Sequence, residues 1–357
     1  MTEVLPTPAP IAYDHAPLHY PEKTIVPSVP AAPPLALPTF DPAKHLCFHP
    51  PKAVHNLTSF HFPSSITSTA PSQIGISEPF PLFTPSAITH LRQELFQPIV
   101  LKDCAWYPNP ETCQLRGMAP KYAQFMYDAW THPATMAAIN AVAGTELEII
   151  MPYEIGHTNI QMGPKGGGDV FNILDEMRAE RSGRVLLSEW NEGESDLARP
   201  TVYWHHDSYP FVCVVSLSVP GETQFGGETA LKRQDGSILK VGCPAQGWAV
   251  VLQGGLIEHV ALRAFGYGER ITMVTSYRPR DPRVRDTSVL TTVRPVSKLP
   301  ELYEQWFRYR IEVLKNRCET RPVRGGSDAE VMEMKRWCDE QIFWLKRTME
   351  EMVVEEK

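Results

Sequence analysis

The spacing of apolar residues changes three times along the chain and divides it into four segments. Residues 1–63 are rich in proline and lack periodic apolar positions, so we expect an extended arm there. Helix-boundary signals follow in residues 64–144, short strand-like runs fill residues 145–282, and helical spacing returns in residues 283–357. This order predicts an α+β protein with a β-rich core, a helical region before it and a helical pair after it.

Three helices are predicted in the second segment from their boundary residues. Thr84 and Pro85 combine a capping side chain with proline at the first helical position. A second helix is predicted to begin at Pro120 and to carry a stripe of aromatic residues. The third should end at Gly144, because glycine tolerates the left-handed backbone that closes many helices. We expect all three to pack on the outside of the β core.

The third segment contains about eight short strand-like runs that are separated by turn signals. Residues 146–161 are predicted to form a strand pair or one bent strand, and Asp235-Gly236 marks a tight turn between two further strands. Eight strands are as many as a double-sheet jelly roll requires. The predicted core is therefore a double-stranded β-helix, or jelly roll.

One predicted strand, Thr201–Leu217, carries a histidine and an aspartate two residues apart. Alternate side chains of a strand share a face, so His205 and Asp207 point one way and His206 points the other. The first two could therefore hold one metal ion together. By itself the pair is weak evidence, because a strand histidine is usually a core residue and an aspartate can simply cap a turn.

The metal interpretation gains weight from the residues that follow. A Gly-Gly turn leads into a run with His259, and eleven residues later another run begins with Arg270. Two imidazoles and one carboxylate leave up to three coordination positions open, as in the non-haem Fe(II) oxygenases. Arg270 and Thr272 share a strand face, and a guanidinium beside a hydroxyl suits a carboxylate. Arg263 and Arg278 are rival carboxylate binders, but Arg263 is expected in a turn, so Arg270 is preferred.

The sequence HHD at 205–207, the distant histidine and the sequence RIT at 270–272 resemble the motif of the Fe(II)/2-oxoglutarate dioxygenase superfamily. The resemblance is specific over residues 200–279. It implies a jelly-roll core that holds iron and binds the distal carboxylate of 2-oxoglutarate. The implied iron ligands are His205, Asp207 and His259, and the implied 2-oxoglutarate ligands are Arg270 and Thr272.

The same resemblance implies the reaction. 2-Oxoglutarate and O2 are consumed, succinate and carbon dioxide are formed, and a C–H bond of a small-molecule substrate is oxidised. Iron supplies this chemistry, while the protein positions the substrate and excludes water.

Four sequences, HHDSYPF, GGETAL, QGGLIEH and YEQWFRYRIEVL, look like a group of fungal 2-oxoglutarate oxygenases. That group includes natural-product enzymes that form aziridines from valine-type amino acids. The likeness covers most of residues 84–357. It implies a role in secondary metabolism, with an amino acid as substrate and either hydroxylation or ring closure as the outcome.

Several polar and aromatic residues are candidates for the wall of the substrate pocket. His157, Asn159 and Gln161 alternate onto one strand face, although a polar face of this kind can equally meet solvent. Phe343 in the last predicted helix could close over the pocket. The candidate substrate residues are Tyr153, His157, Asn159, Gln161, Tyr203 and Phe343.

The C-terminal segment has a broad apolar surface. One helix is predicted to end near Asn316, and Ser327-Asp328 should cap a second that continues to about Val353. A wide apolar stripe of this kind packs on its own domain or forms a homodimer.

Composition and charge exclude other classes of function. The chain has 357 residues, is 43% hydrophobic and has a formal net charge of −7, so it carries no basic footprint for nucleic acid. Neither an apolar run long enough for a membrane nor a signal peptide is apparent. The seven cysteines are scattered without C-x-x-C spacing, as in a reduced protein. We therefore expect a cytoplasmic protein without nucleic-acid or membrane partners.

Two other functions remain open from the sequence. A cupin-like zinc or manganese enzyme could use the same three ligands, but Arg270 and Thr272 would then have no assigned partner. A catalytically silent jelly roll could act as an interaction module, and it would take up no metal.

Overall fold

The computed structural model describes seven stretches of the chain, which belong to one compact unit spanning Leu37–Lys357. They are residues 38–109, 112–161, 204–218, 225–262, 264–265, 270–321 and 326–354. Most of the predicted N-terminal arm lies outside these stretches. Residues 162–203, immediately before Trp204, also lie outside them. The four-segment division of the chain stays a prediction.

Fifteen strands and eight α-helices lie in these stretches, together with short 3-10 turns. The strands are β1 (Val54–Asn56), β2 (Ile74–Ser77), β3 (Phe80–Pro81), β4 (Ala105–Asn109), β5 (Thr112–Leu115), β6 (Leu147–Ile149), β7 (His157–Gln161), β8 (Phe211–Ser216), β9 (Phe225–Gly226), β10 (Thr229–Lys232), β11 (Ile238–Val241), β12 (Trp248–Leu252), β13 (His259–Ala261), β14 (Ala264–Phe265) and β15 (Arg270–Pro279). The helices are α1 (Pro42–His45), α2 (Ser64–Thr67), α3 (Pro85–Leu95), α4 (Pro98–Cys104), α5 (Gln124–Thr131), α6 (Pro133–Ala143), α7 (Leu299–Thr320) and α8 (Asp328–Glu350).

The strands form one large and one small antiparallel sheet, with β9 and β14 as a separate pair. In the main sheet the order is β1-β2-β12-β8-β15-β7-β5-β4, while β3 pairs with β12 and β6 pairs with β15. The second sheet has the order β11-β10-β13. Residues 146–161 therefore form two strands that pair with β15 at different places, rather than one bent strand.

The two larger sheets share an apolar interior. Val212 and Val250 of the main sheet belong to the same buried cluster as Leu231 and Val241 of the second sheet. Burying one face of each sheet against the other is what stabilises a double-sheet fold. The predicted jelly-roll core and the α+β class are confirmed.

The predicted N-terminal helices cover the outer face of the main sheet. Ile88 of α3, Trp130 of α5 and Ile139 of α6 share a buried cluster with Ile271 and Met273 of β15. The indole Nε1 of Trp130 lies 3.3 Å from the sulfur of Met273. The expectation that these helices pack outside the core is confirmed.

Local capping rules predicted two of these helices well. The hydroxyl of Thr84 accepts a hydrogen bond from the backbone N–H of Ala87 at the start of α3. Helix α6 ends at Gly144, whose φ of 67° is left-handed.

The start of α5 was predicted wrongly. The helix begins at Gln124 instead of Pro120, because a side chain from another helix caps it. The carboxylate of Glu94 on α3 accepts hydrogen bonds from the backbone N–H groups of Phe125 and Met126, at 2.7 and 2.8 Å.

The predicted strand Thr201–Leu217 is also corrected. In its described part, regular pairing begins only at Phe211, and His205 forms an isolated bridge with His259. Pro210 has no N–H for a ladder, so the chain bends before β8.

The C-terminal helices α7 and α8 form a pair with its own core. Trp306 and Tyr309 of α7 pack with Trp344 of α8, and the guanidinium of Arg310 lies 3.0 Å from the centre of the Trp344 ring. Helix α7 continues four residues beyond its predicted end near Asn316. Its extra turn includes Arg317, whose Nε donates to the carbonyl of Pro282 at 2.7 Å, so a tertiary contact sustains the helix.

The stability of the fold should fall as pH rises through neutrality because of Glu94. Burial, opposed by its two backbone hydrogen bonds, raises the pKa of this carboxyl from 4.5 to about 7. The folded state then binds the proton more tightly than the unfolded state, so its contribution is complete below pH 4.5 and is lost as pH rises through 7. We expect a loss of about 3 kcal/mol at most.

Urea unfolding of the wild type and Glu94→Gln between pH 5 and 9 would measure this effect. The variant should lose the decline in unfolding free energy across that range. Equal pH slopes for the two proteins would contradict the assignment.

Two neighbouring residues of α8 should differ sharply in their effect on stability. Trp344 is 4% exposed and Phe343 is 60% exposed. Trp344→Ala should lower the unfolding free energy by about 3–5 kcal/mol, since it leaves a cavity beside Arg310. Phe343→Ala should change it by less than about 0.5 kcal/mol. Chemical denaturation of both variants would measure the two changes in unfolding free energy. Similar losses for the two variants would contradict this packing.

Candidate functional site

Backbone pairing brings the two candidate histidine ligands together. The N–H of His205 donates to the carbonyl of His259 at 3.0 Å, and the N–H of His259 donates to the carbonyl of His205 at 2.9 Å. Their ring centroids are 4.6 Å apart. His259 begins β13 and lies opposite Leu231 of β10, so the second sheet fixes its position.

The carboxylate of Asp207 lies between the two imidazoles. Its Oδ1 is 3.6 Å from His205 Nε2, and its Oδ2 is 3.5 Å from His259 Nε2. One potential ligand atom from each of the three residues lies within 4.8 Å of the others. No other group of three such side chains comes this close in the described part of the chain. The triad that was predicted from the sequence is thus brought to one place.

The surroundings of Asp207 fit a divalent metal ion. Its Oδ2 is buried and has no hydrogen-bond partner, which is costly for a carboxylate unless a cation binds there. Its backbone N–H donates to the carbonyl of Gly254 at 2.8 Å. A Cβ on Gly254 would lie 1.8 Å from Oδ2, so the Gly-Gly turn makes room for the carboxylate.

The ionised carboxylate of Asp207 and the tautomer of His259 suit metal binding. Burial would raise the pKa of Asp207, but His259 and His205 outweigh it and hold the pKa well below its usual range. Burial works in the opposite direction on His259, whose pKa is nevertheless raised because Asp207 lies beside it. The Nδ1 of His259 is 2.8 Å from the carbonyl of Ile257, so in the neutral imidazole, which is the form that binds a metal, Nδ1 carries the proton and Nε2 has the lone pair.

Arg270 and Thr272 lie on the interior face of β15. Thr272 is directly opposite Asn159 of β7 and Ser216 of β8. The Nε of Arg270 donates to the carbonyl of Gly227 at 3.0 Å, which holds the side chain toward the second sheet. Among the described residues, this side-chain hydrogen bond of Arg270 is made by Nε and not by the terminal nitrogens.

Of the two rival arginines, Arg278 is too far away to bind the same carboxylate. It is eight residues beyond Arg270 on one strand, which corresponds to roughly 26 Å. Its Nη2 is paired with Glu148 at 2.9 Å. Arg263 lies outside the described residues.

The polar face of β7 meets the interior, which is one of the two alternatives that the sequence left open. His157, Asn159 and Gln161 lie opposite Val274, Thr272 and Arg270 of β15. Directly opposed residues of an antiparallel pair share a face, so these side chains line the wall that also carries the candidate carboxylate binder. His206, by contrast, is exposed, as the alternation rule predicted.

The other candidate substrate residues have different surroundings. Tyr153 is buried in the core of the C-terminal helices, and its hydroxyl accepts a hydrogen bond from the backbone N–H of Lys298 at 2.8 Å. Phe343 lies on the exposed side of α8, and 60% of its surface is exposed. Tyr203 lies outside the described residues.

A buried ion pair beside β7 was not predicted from the sequence. Arg116 and Glu154 form a salt bridge with side chains that are both 1% exposed. The hydroxyl of Tyr209, two residues after Asp207, donates to the same Glu154 carboxylate at 3.0 Å. The polar residues at alternate positions 112, 114 and 116 were the available signal for Arg116, and nothing local marked Glu154 as its partner.

No protein-family model and no curated protein sequence matches the chain. Among solved structures it aligns with a Pseudomonas putida prolyl-4-hydroxylase at 17% identity and a TM-score of 0.34, covering 60% of this chain and 95% of that one. It aligns with HygX from Streptomyces hygroscopicus, which holds nickel, 2-oxoglutarate and hygromycin B, at 15% identity and a TM-score of 0.36, covering 60% and 86%. It aligns with the non-haem α-ketoglutarate-dependent epimerase SnoN at 12% identity and a TM-score of 0.38, covering 62% and 84%. These overlaps are limited, so the fold assignment rests on the strand order and the shared interior.

Removing a candidate ligand should greatly weaken metal binding without unfolding the protein. Asp207→Ala and His259→Ala should each weaken binding of a divalent ion by at least about 100-fold, since each takes away one of three ligands. His206→Ala is the matched control, because His206 is the imidazole between the two candidate ligands in sequence and is exposed. Metal titration by calorimetry would measure this. Equal losses in all three variants would rule out the triad.

Proposed function

We propose that the protein is a non-haem Fe(II)/2-oxoglutarate-dependent oxygenase that oxidises a C–H bond of a small molecule. The observation that carries this proposal is the Asp207 carboxylate, whose Oδ1 and Oδ2 lie 3.6 and 3.5 Å from the Nε2 atoms of His205 and His259 and whose buried Oδ2 has no hydrogen-bond partner among the described residues. A second support is Arg270, which reaches from the main sheet toward the second sheet on the same interior face.

In this proposal His205, Asp207 and His259 hold the iron, which supplies the activation of O2. Three protein ligands leave positions for a chelating co-substrate and for oxygen. Asp207 contributes a negative charge that its neighbours keep ionised. His259 is held in one tautomer by the carbonyl of Ile257.

Arg270 and Thr272 bind the distal carboxylate of 2-oxoglutarate. The guanidinium is anchored through Nε, so its terminal nitrogens offer a fixed fork, and the threonine hydroxyl on the same face adds a further donor. The apolar residues between the sheets exclude water from the site, which strengthens these interactions.

We infer that the substrate is an amino acid of the valine type, in secondary metabolism, with hydroxylation or aziridine ring closure as the outcome. This inference comes from the likeness of four sequence stretches to fungal 2-oxoglutarate oxygenases. The polar face of β7 supplies hydrogen-bonding groups that a small polar substrate requires.

A homodimer through the C-terminal helices and a cytoplasmic location stay predictions. Exposed apolar residues on α7 and α8 are compatible with the dimer, among them Phe307, Met332, Ile342 and Phe343. In the part of the chain that the structure describes, none of the helices has the length and apolar character of a bilayer span.

Anaerobic titration with Fe(II) and then 2-oxoglutarate tests the proposed function. The weak visible charge-transfer band of the chelate should appear only when both are present. A cupin-like zinc or manganese enzyme would bind a metal without this response, and a silent interaction module would bind no metal.

Arg270→Ala should weaken 2-oxoglutarate binding and leave metal binding nearly unchanged. Losing one partner of a buried charge pair costs roughly 3–5 kcal/mol, which corresponds to about two to four orders of magnitude in affinity. Arg278→Ala is the control, because that arginine is buried on the same strand but paired with Glu148. Anaerobic calorimetry with metal bound would measure both, and equal affinities in wild type and Arg270→Ala would refute the assignment.

A further inference from the structure

A buried hydrogen bond fixes which nitrogen of His157 carries the proton. The Nη1 of Arg116 lies 3.0 Å from His157 Nδ1. A guanidinium has donors and no acceptor, so Nδ1 must accept this hydrogen bond through its lone pair. The proton of the neutral imidazole is therefore on Nε2.

The surroundings of this imidazole keep it neutral. Burial, reinforced by the charge of Arg116, lowers the pKa of His157 well below its usual value, and the negative charge of Asp207 opposes this only in part. Arg116 is itself held in place by Glu154, so the arrangement does not depend on a mobile surface group. His157 thus presents a permanent N–H donor.

The Nε2 of His157 is buried and has no acceptor among the described residues. Asp207 lies close enough to influence the imidazole electrostatically, and His157 is on the interior face of β7. A buried donor without an acceptor is costly, and such groups concentrate at binding sites. The donor is therefore available to a ligand beside the metal ligands.

Gln161 repeats this pattern two positions beyond Asn159 on the same face. Its Oε1 accepts a hydrogen bond from the backbone N–H of Ala264 at 3.1 Å, so its amide orientation is fixed. Its Nε2 is buried and also lacks an acceptor in the described part of the chain. Gln161 is 6% exposed and lies opposite Arg270. The wall of β7 is thus rich in donors at both of its ends.

The charge of the site favours an anionic ligand. A divalent metal ion and Arg270, set against Asp207 and against Glu228, whose charge acts on Arg270, would leave one net positive charge, while Arg116 is balanced by Glu154. Donors and positive charge together suit carboxylate groups.

We propose that His157 is a positioning residue that donates a hydrogen bond from Nε2 to a carboxylate held beside the metal ion, with Arg116 fixing the tautomer that can donate. This inference rests on the proposed function. The carboxylate could belong to 2-oxoglutarate, adjacent to its keto group, or to an amino-acid substrate.

The first test observes the tautomer directly. In the metal-free protein with 15N-labelled histidine, long-range proton–nitrogen correlation at pH 7 should show His157 with a protonated Nε2 and a bare Nδ1. The signal is assigned by its loss in His157→Phe. A proton on Nδ1, or on both nitrogens, would overturn the proposal.

The second test measures ligand affinity anaerobically, with Mn(II) in place of iron and with 2-oxoglutarate and L-valine as probes. His157→Phe should weaken binding of one probe about 10- to 100-fold, the size expected for a hydrogen bond to a charged group. His157→Gln, which keeps an N–H donor, should recover most of this loss. Thr158→Val is the control, because Thr158 is buried on the opposite face of the same strand.

Weaker 2-oxoglutarate binding in His157→Phe would assign the carboxylate to the co-substrate, and weaker L-valine binding alone would assign it to the substrate. If His157→Phe binds both 2-oxoglutarate and L-valine as tightly as the wild type does, the proposal is overturned. A wild type that binds Mn(II) but not 2-oxoglutarate would defeat the proposed function instead, while the tautomer measurement would still report on Arg116 and His157.

Discussion

Backbone hydrogen bonding along both edges of β15 sets the architecture on which the site depends. The strand pairs with β8 on one side and with β7 and β6 on the other. Ile271 and Met273 then face the helices, while Arg270 and Thr272 face the interior. A slip of one residue would exchange the two faces and bury the arginine among apolar side chains, so burial on both sides specifies the register strongly.

The candidate metal ligands are likewise placed by backbone contacts. Reciprocal hydrogen bonds join His205 to His259, and the N–H of Asp207 bonds to the carbonyl of Gly254. These contacts hold three ligands within reach of one ion before any ion binds, which reduces the entropy that metal binding must overcome. The same closeness makes Gly254 necessary, because any side chain there would collide with the Asp207 carboxylate.

The interior contains two kinds of buried charged side chain, those with a protein partner of opposite charge and those that are candidates for binding a ligand. Arg116 is neutralised by Glu154 and so belongs to the permanent structure. In the described part of the chain, Asp207 Oδ2 has no hydrogen-bond partner, and the side-chain hydrogen bond of Arg270 uses Nε. Uncompensated buried groups are tolerated where a ligand completes them. Arg116 and Glu154 therefore belong to the framework, whereas Asp207 and Arg270 are the candidates for binding a ligand.

The sequence by itself determined the features that depend on near neighbours in the chain. Strand alternation placed His157, Asn159 and Gln161 on one face, and Thr84 and Gly144 marked helix ends, because these are matters of local geometry and capping. The order of the candidate metal ligands and candidate carboxylate binders was also visible in the sequence.

Only the tertiary structure decided where distant groups meet. Glu94 caps α5 from another helix, so this helix begins at Gln124. The regular pairing of β8 begins at Phe211, after His205 and Asp207 rather than around them. Arg116 gains its role through Glu154 and His157, each about forty residues away in the chain. Such contacts form between segments that the fold brings together, and no local pattern of polar and apolar residues records which partner will be there.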